Sequence, residues 1–392
     1  VKAKTFKQAL APLLLIVFNF MFNIFSRSIL SPLLLDVEAE FAISHTRASQ
    51  LFLFVSLGHA LMMLLSGFVS SRIGHRRTIV FSSLVIAVGL VFVAASFELY
   101  LLQVSLLFLG LGAGLYPPSG ISVITSMVER SDWQKALSIH ELGPHFGMAL
   151  VPLFAVFMSI WLPWRLVVLA AAVCVVLAVT MFHLFIRVDN EKGEVPVFSN
   201  LLPLLKIPSF WILMVFMGFF LGSIQGIYLI IPTFLVAEAG FDAVYANTIF
   251  GISRFVPIAA LLSSVFVLDR IGLKRTIFIT MLSSGIAIIL LGLLSGNYLV
   301  AAIFLQPAVG AVTGPSIIAA ISSIAPKRSR NVAFSIALPA ASVLGNGVIP
   351  SFVGYTGDAA SFSAGFIIIG VIMALLAFLT FSLDLRAHHT VA

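Results

Sequence analysis

The chain has 392 residues, 60% of them hydrophobic and 9% charged, with a mean hydropathy of +1.15. A soluble domain has roughly a quarter of its residues charged, so a water-soluble globular protein is excluded and the chain belongs in a bilayer. The net charge of +7 does not mark a nucleic-acid binder, because the basic residues are confined to alternate segments between apolar runs.

A membrane helix needs about 20 mostly apolar residues, and the chain divides into twelve such spans: 9–35, 46–70, 77–97, 99–128, 136–160, 163–186, 208–236, 243–268, 276–295, 298–324, 331–356 and 361–384. The expected fold class is therefore an all-α membrane protein. The first apolar run is longer than the core of a signal peptide and leads straight into further spans, so it is expected to stay in the membrane. It carries Asn19, Asn23 and, deep inside it, Arg27. Charge in hydrocarbon is costly and persists where it faces a cavity or a partner, so an intramembrane arginine is by default a functional candidate.

His59 in the second span is expected to pack or to bond a neighbouring helix. The fourth span has Gly110, Gly112 and Gly114, which allow close backbone approach, and then Tyr116 before Pro117-Pro118. That proline pair is expected to break the helix at a cavity border. No strand precedes the glycines, so they are not a nucleotide loop. The fifth span contains His140-Glu141-Leu142-Gly143-Pro144-His145-Phe146-Gly147. Glu141 is the only carboxylate that falls inside an expected span, and His145, four residues on, shares its face, while His140 lies roughly 100° around the helix. A buried carboxylate beside histidines can titrate near neutral pH. Glu141 is the candidate proton carrier, with His145 and His140 beside it. An equally weighted alternative pairs Glu141 with a cation at the cytoplasmic mouth, about a turn and a half from the start of this span.

The lone Cys174 in the sixth span excludes an internal disulfide and a thiolate metal cluster. The longest polar stretch follows, about 187–206. Beyond it come Gln225 and Tyr228 in the seventh span, Arg254 in the eighth and Asn346 in the eleventh. Of the 22 Lys and Arg, 18 fall in segments assigned to the cytoplasm, Arg47 and Arg165 in outer loops, and only Arg27 and Arg254 inside spans. This positive-inside pattern puts both termini in the cytoplasm.

A repeat runs at half the chain length. Ser71-Arg72-Ile73-Gly74-His75-Arg76-Arg77-Thr78-Ile79 returns as Asp269-Arg270-Ile271-Gly272-Leu273-Lys274-Arg275-Thr276-Ile277, offset by 198, and Ser31 to Phe41 echoes Ile231 to Phe241, offset by 200. Two parallel halves follow, related by an axis along the membrane normal: a six-helix bundle at 1–186, a linker at 187–206 and a second pseudo-symmetric six-helix bundle at 207–392.

On these features the chain resembles the major facilitator superfamily. Gly67-Phe68-Val69-Ser70-Ser71-Arg72-Ile73-Gly74-His75-Arg76-Arg77 is similar to its signature between helices 2 and 3, and Trp164-Arg165 to another recurrent feature. The resemblance implies a cytoplasmic gate at Gly67, Arg72, Gly74 and Arg76, mirrored by Asp269, Arg270, Gly272 and Arg275. Ser71 stands where the family has an aspartate, which weakens the inner lock expected of the first half. The resemblance also implies that helices 1, 2, 4, 5, 7, 8, 10 and 11 line a central cavity, with Arg27 and Arg254 on opposite sides of it. Asn23-Ile24-Phe25-Ser26-Arg27 is similar to helix 1 of the anion:cation symporter branch. Gly251-Ile252-Ser253-Arg254-Phe255-Val256-Pro257 resembles helix 8 of monocarboxylate and oxalate carriers, where an arginine engages the substrate carboxylate.

A guanidinium stays protonated and forks onto carboxylate, sulfonate or phosphate oxygens. The expectation is a secondary transporter in a bacterial inner or plasma membrane, a monomer moving a small organic anion with proton coupling by alternating access. Arg27, Arg254, Asn23, Tyr116, Gln225, Tyr228 and Asn346 are the substrate candidates. The alternatives are an exporter of an amphipathic drug or lipid and a non-transporting sensor. Paired acids, a nucleophile motif and a phosphate loop are all lacking, so neither an enzyme nor a cofactor is expected. His140 and His145 are five apart, not the four that puts two metal ligands on one helix face.

Overall fold

A computed structural model describes residues 6–186, 190–193, 204–260, 271–325 and 330–385. Among them are twelve helices long and apolar enough to cross a membrane and no strand: α1 (Gln8–Phe41), α2 (His45–Ile73), α3 (His75–Ala94), α4 (Leu99–Met127), α5 (Arg130–Ser159), α6 (Trp164–Phe185), α7 (Pro208–Ala237), α8 (Ala243–Ala260), α9 (Leu273–Leu293), α10 (Gly296–Ile324), α11 (Ala333–Ala359) and α12 (Phe362–Ser382).

The chain forms two compact units. One joins Val1–Ala42 to Phe54–Pro196, and the other joins Ile43–Leu53 to Val197–Ala392. In the first unit α3 packs on α4 and α6, and α1 on α5. In the second, α9 packs on α10 and α12. The repeat reaches down to single dihedral angles. Gly74 and Gly272 both have φ of 84°, a value that disfavours a Cβ, and each accepts a hydroxyl bond from the threonine four residues on, Thr78 at 2.8 Å and Thr276 at 2.9 Å. Close backbone contact explains the glycines of α4: a Cβ on Gly110 would lie 2.2 Å from the Val55 carbonyl, and one on Gly114 2.3 Å from that of His59.

Two expectations change. α1 does not end near residue 35 but continues through Asp36, Glu38 and Glu40, because Ser31–Leu33 is a tight 3-10 turn that redirects the helix without ending it. Glu141 is therefore not the only acid in a span, and Glu38 is buried. α5 begins at Arg130, not 136, which puts Glu141 about 16 Å along it at the usual rise per residue. That is near the middle of the helix, not a turn and a half from its mouth.

Interruptions of the helices position the polar side chains. Proline has no N–H, so it leaves unbonded the carbonyl four residues earlier and crowds it. α1 is regular to Ser28, four before Pro32; α4 breaks at Leu115, beside the carbonyls that Pro117 and Pro118 cannot bond; α5 breaks at Glu141, three before Pro144; α8 breaks after Ser253, four before Pro257. Arg27, Tyr116, Glu141 and Arg254 all sit at or next to these breaks. α7 and α11 are interrupted differently, by π-helical turns at Gly222–Gly226 and Leu344–Val348, which hold Gln225 and Asn346.

Candidate functional site

In the second unit the site is built around Arg254. It follows the last regular turn of α8, where the chain tightens into three-residue bonds, Arg254 N–H to Gly251 C=O and Phe255 N–H to Ile252 C=O, both 3.2 Å. A cation suits this position because the end of a helix carries partial negative charge. The side chain is 2% exposed. Its guanidinium carbon lies 4.5 Å from the Phe250 ring centre and 5.4 Å from that of Tyr228. Phe250 is four residues before Arg254 and so on the same face. Among the described residues none of its three nitrogens has a hydrogen-bond acceptor.

Such a group costs several kcal/mol when unpaired, and a desolvated cation–π contact returns about 2 kcal/mol. The rings hold the cation in place without neutralising it. What is left open is a planar fork of donors that fits a carboxylate or phosphate oxygen pair.

Tyr228 is three residues past Gln225 on α7, so the two lie on one helix face. Asn346 Nδ2 donates to Gln225 Oε1 at 2.9 Å, linking the two π-helical turns, while the buried Asn346 Oδ1 has no partner among the described residues. Glycine lets these turns touch: a Cβ on Gly226 would lie 2.1 Å from the Gly345 carbonyl. Gln306 of α10 donates to the Ser223 carbonyl at 2.6 Å, satisfying a group that the wide turn loosens. π-turns of this kind recur at functional sites.

In the first unit Arg27 is half-buried and its Nε lacks an acceptor among the described residues. Asn23 braces the fold, since its Nδ2 donates at 3.1 Å to the carbonyl of Ala113, the one that Pro117 leaves free. Tyr116 and His140 are buried together. Tyr116 Oη is 3.1 Å from the Ile16 carbonyl, to which it donates, and 3.0 Å from His140 Nε2. Phe20 stacks on both, with ring centres 4.4 Å from His140 at 3° and 4.8 Å from Tyr116 at 12°. His140 Nδ1 is 3.4 Å from Glu141 Oε1. Glu141 is not the buried carboxylate expected, since 57% of its side chain is exposed. His145, half-buried, lies past the break at Glu141 on α5.

In the loop between α2 and α3, where the resemblance leads one to expect an acid at Ser71, Asn190 makes the bonds to the backbone. Its Oδ1 accepts from the Arg77 N–H at 3.2 Å, capping α3, and its Nδ2 donates to the Ile73 carbonyl at 2.6 Å. Gly193 N–H reaches the Ser70 carbonyl at 3.1 Å, and Ser71 Oγ donates to the Phe68 carbonyl of its own helix at 3.0 Å. Gly67 closes the last turns of α2, Arg72 is exposed, and Arg76 donates to the His183 carbonyl at 2.8 Å. In the mirrored loop Gly272 keeps its positive φ and Arg275 is exposed, while Asp269 and Arg270 lie outside the described residues.

Phe250, Phe20, Gln306 and Asn190 were not singled out by sequence. Only Phe250 carried a local signal, its four-residue spacing from Arg254.

A model of the Major Facilitator Superfamily matches residues 16–267 and 247–391. Among solved structures, a bacterial homologue of the human lysosomal transporter Spinster is similar with a TM-score of 0.79 at 16% identity, over 98% of this chain and 98% of that one. A D-xylose–proton symporter gives 0.79 at 18% identity over 94% and 96%. The nucleoside transporter NupG gives 0.80 at 14% identity over 95% and 99%. At these identities the likeness is one of fold. No curated protein sequence matches the chain.

Proposed function

The chain belongs to the Major Facilitator Superfamily, and we propose that this integral, multi-pass membrane transporter moves a small organic anion, most simply a carboxylate, coupled to a proton by alternating access. The observation that carries the reading is Arg254, a buried guanidinium with three nitrogens lacking an acceptor among the described residues and with aromatic rings on its flank. Buried charges are ordinarily paired, and an anion would supply the acceptors that the described residues do not. A neutral sugar or an organic cation offers no such charge.

Within the second unit Gln225 and Asn346 are the hydrogen-bonding groups and Tyr228 is the ring that positions Arg254; in the first unit Arg27 is the candidate anion-binding guanidinium. Proton coupling is assigned to the region of His140, Glu141 and His145. The distribution of basic residues supports a bacterial inner or plasma membrane with both termini in the cytoplasm. The chain works as a monomer.

The test is a thermal-shift panel on purified protein at two pH values. Acetate, lactate, succinate and inorganic phosphate are compared with glycerol and choline on wild type, Arg27→Ala and Arg254→Ala. Stabilisation of the wild type by one of the carboxylates and its loss in Arg254→Ala is the expected result. Stabilisation by choline or glycerol alone, or a carboxylate shift that survives in Arg254→Ala, overturns the reading.

A further inference from the structure

Tyr116 has one hydroxyl proton and two neighbours to share it with. The Ile16 carbonyl can only accept, so the 3.1 Å bond to it uses the tyrosine proton. The 3.0 Å contact with His140 then exists only if Nε2 carries a hydrogen and donates it to Tyr116 Oη. The neutral ring is thereby locked as the Nε2–H tautomer, and its basic lone pair is on Nδ1. That atom is buried, has no hydrogen-bond partner among the described residues, and faces a Glu141 carboxylate oxygen 3.4 Å away.

A lone pair held against a carboxylate is repulsive until one proton enters between them. The proton can rest on Nδ1, giving an imidazolium beside a carboxylate, or on Oε1, giving a carboxylic acid beside an imidazole. Either way the pair holds one extra proton, shared between Nδ1 and Oε1.

From this geometry we infer that the coupling proton is carried by the His140–Glu141 pair, with His140 as the inner member and Tyr116 as the positioning residue that fixes its tautomer. This inference rests on the proton-coupled reading above and names the group that performs it. The proton enters at the Glu141 carboxylate, the more exposed member of the pair, at 57% against 2% for His140. It passes from Oε1–H to His140 Nδ1, leaving Glu141 ionised and the ring cationic, and returns by the same atoms in reverse. Tyr116 keeps its proton throughout, as acceptor from Nε2 and donor to Ile16.

The surroundings fit a site that changes charge. On α4 the titratable group against the ring is Tyr116, and α1 contributes the Phe20 ring and the Ile16 carbonyl. On α5 itself it is Glu141, with His145 beyond the break. Lys135 and Asp132, earlier on the same helix, are paired with each other at 3.1 Å. The Phe20 face, parallel to the imidazole at 4.4 Å, can stabilise the cationic ring as well as pack on the neutral one.

Two measurements test this. In ligand-free protein with ring-¹⁵N-labelled histidine in liposomes, nuclear magnetic resonance between about pH 5 and 8 reads each tautomer directly. One histidine signal is expected to be the Nε2–H tautomer when neutral, to convert to imidazolium on acidification, and to vanish in His140→Gln. In Tyr116→Phe, which keeps the ring stack, that signal is expected to lose its single tautomer. A His140 signal that is Nδ1–H when neutral, does not titrate, or is unchanged in Tyr116→Phe overturns the inference even if no substrate is found.

The second measurement uses proteoliposomes with labelled lactate and succinate. His140→Gln and Tyr116→Phe are expected to keep counterflow and to lose uptake driven by a pH gradient, at least tenfold for His140→Gln. Gradient-driven uptake retained in His140→Gln overturns the inference alone. Wild type that exchanges a probe without response to the gradient overturns the proton-coupled reading beneath it.

Discussion

Replacing Arg254 by methionine separates the cost of the buried charge from its use. In the protein without an anion the guanidinium is 2% exposed and lacks an acceptor among the described residues. Replacing buried ionic groups by apolar residues of similar volume stabilises proteins by about 1–4 kcal/mol. Against this, Arg254→Met loses contacts with Phe250 and Tyr228, about 2 kcal/mol if fully desolvated, and up to about 1 kcal/mol of interaction with the end of α8. The net expectation lies within about 2 kcal/mol of zero on either side, so the ligand-free variant melts close to wild type.

With an anion the order reverses. Two charge-assisted hydrogen bonds of about 1.5–3 kcal/mol each are lost, which at about 1.4 kcal/mol per tenfold weakens binding by about 10² to 10⁴. A carboxylate at 100 times its wild-type Kd adds about 2.7 kcal/mol to wild type and almost nothing to the variant. The assay is paired thermal unfolding with and without the carboxylate, backed by calorimetric titration. A ligand-free variant several kcal/mol less stable than wild type would show that the charge is already neutralised. A carboxylate shift of unchanged size in Arg254→Met would show that it is not the anion contact.

Two further outcomes follow from packing and capping. Gly110→Ala puts a Cβ 2.2 Å from the Val55 carbonyl and 2.9 Å from the His59 nitrogen; neither can yield as a flexible side chain would, so α2 and α4 must part, at a cost of about 1–3 kcal/mol. An unchanged melting temperature for that variant would contradict the close approach. Asn190→Ala removes the cap on Arg77 and the bond to Ile73, worth about 1 kcal/mol. Faster amide exchange at the first turn of α3, with melting little changed, is the expected reading; exchange identical to wild type would mean that Asn190 does not cap α3.

Much of the architecture was legible because it depends on local sums. Hydropathy over about 20 residues finds a span, and twelve were found in the right order, with the Ser71–Ile79 and Asp269–Ile277 repeat marking the two loops whose glycines share φ of 84°. The odd positions of Arg27 and Arg254 were legible for the same reason, since charge within an apolar run stands out against its neighbours. Proline gave a weaker signal. Pro32, Pro117, Pro144 and Pro257 accompany interruptions, yet α10 runs unbroken through Pro307 and Pro315, so whether a helix yields depends on what packs against the freed carbonyl.

How the polar groups are used was decided by tertiary structure. Asn23 and Gln306 are both buried amides, and nothing in their neighbourhoods of sequence shows that each bonds a backbone carbonyl on another helix, 90 and 83 residues away. Sequence marked Glu141 and its helix-face partner His145. The fold sets Glu141 3.4 Å from His140, which the sequence had also placed beside it, and joins His140 to a tyrosine 24 residues earlier on a different helix. Hydrophobicity and helical periodicity are properties of one segment at a time, so the chain alone determined which helices cross the membrane and where charge is out of place. A hydrogen bond needs two groups within about 3 Å at the right angle, and only the packing of helices distant in sequence settled which donors meet which acceptors and left the nitrogens of Arg254 without one among the described residues.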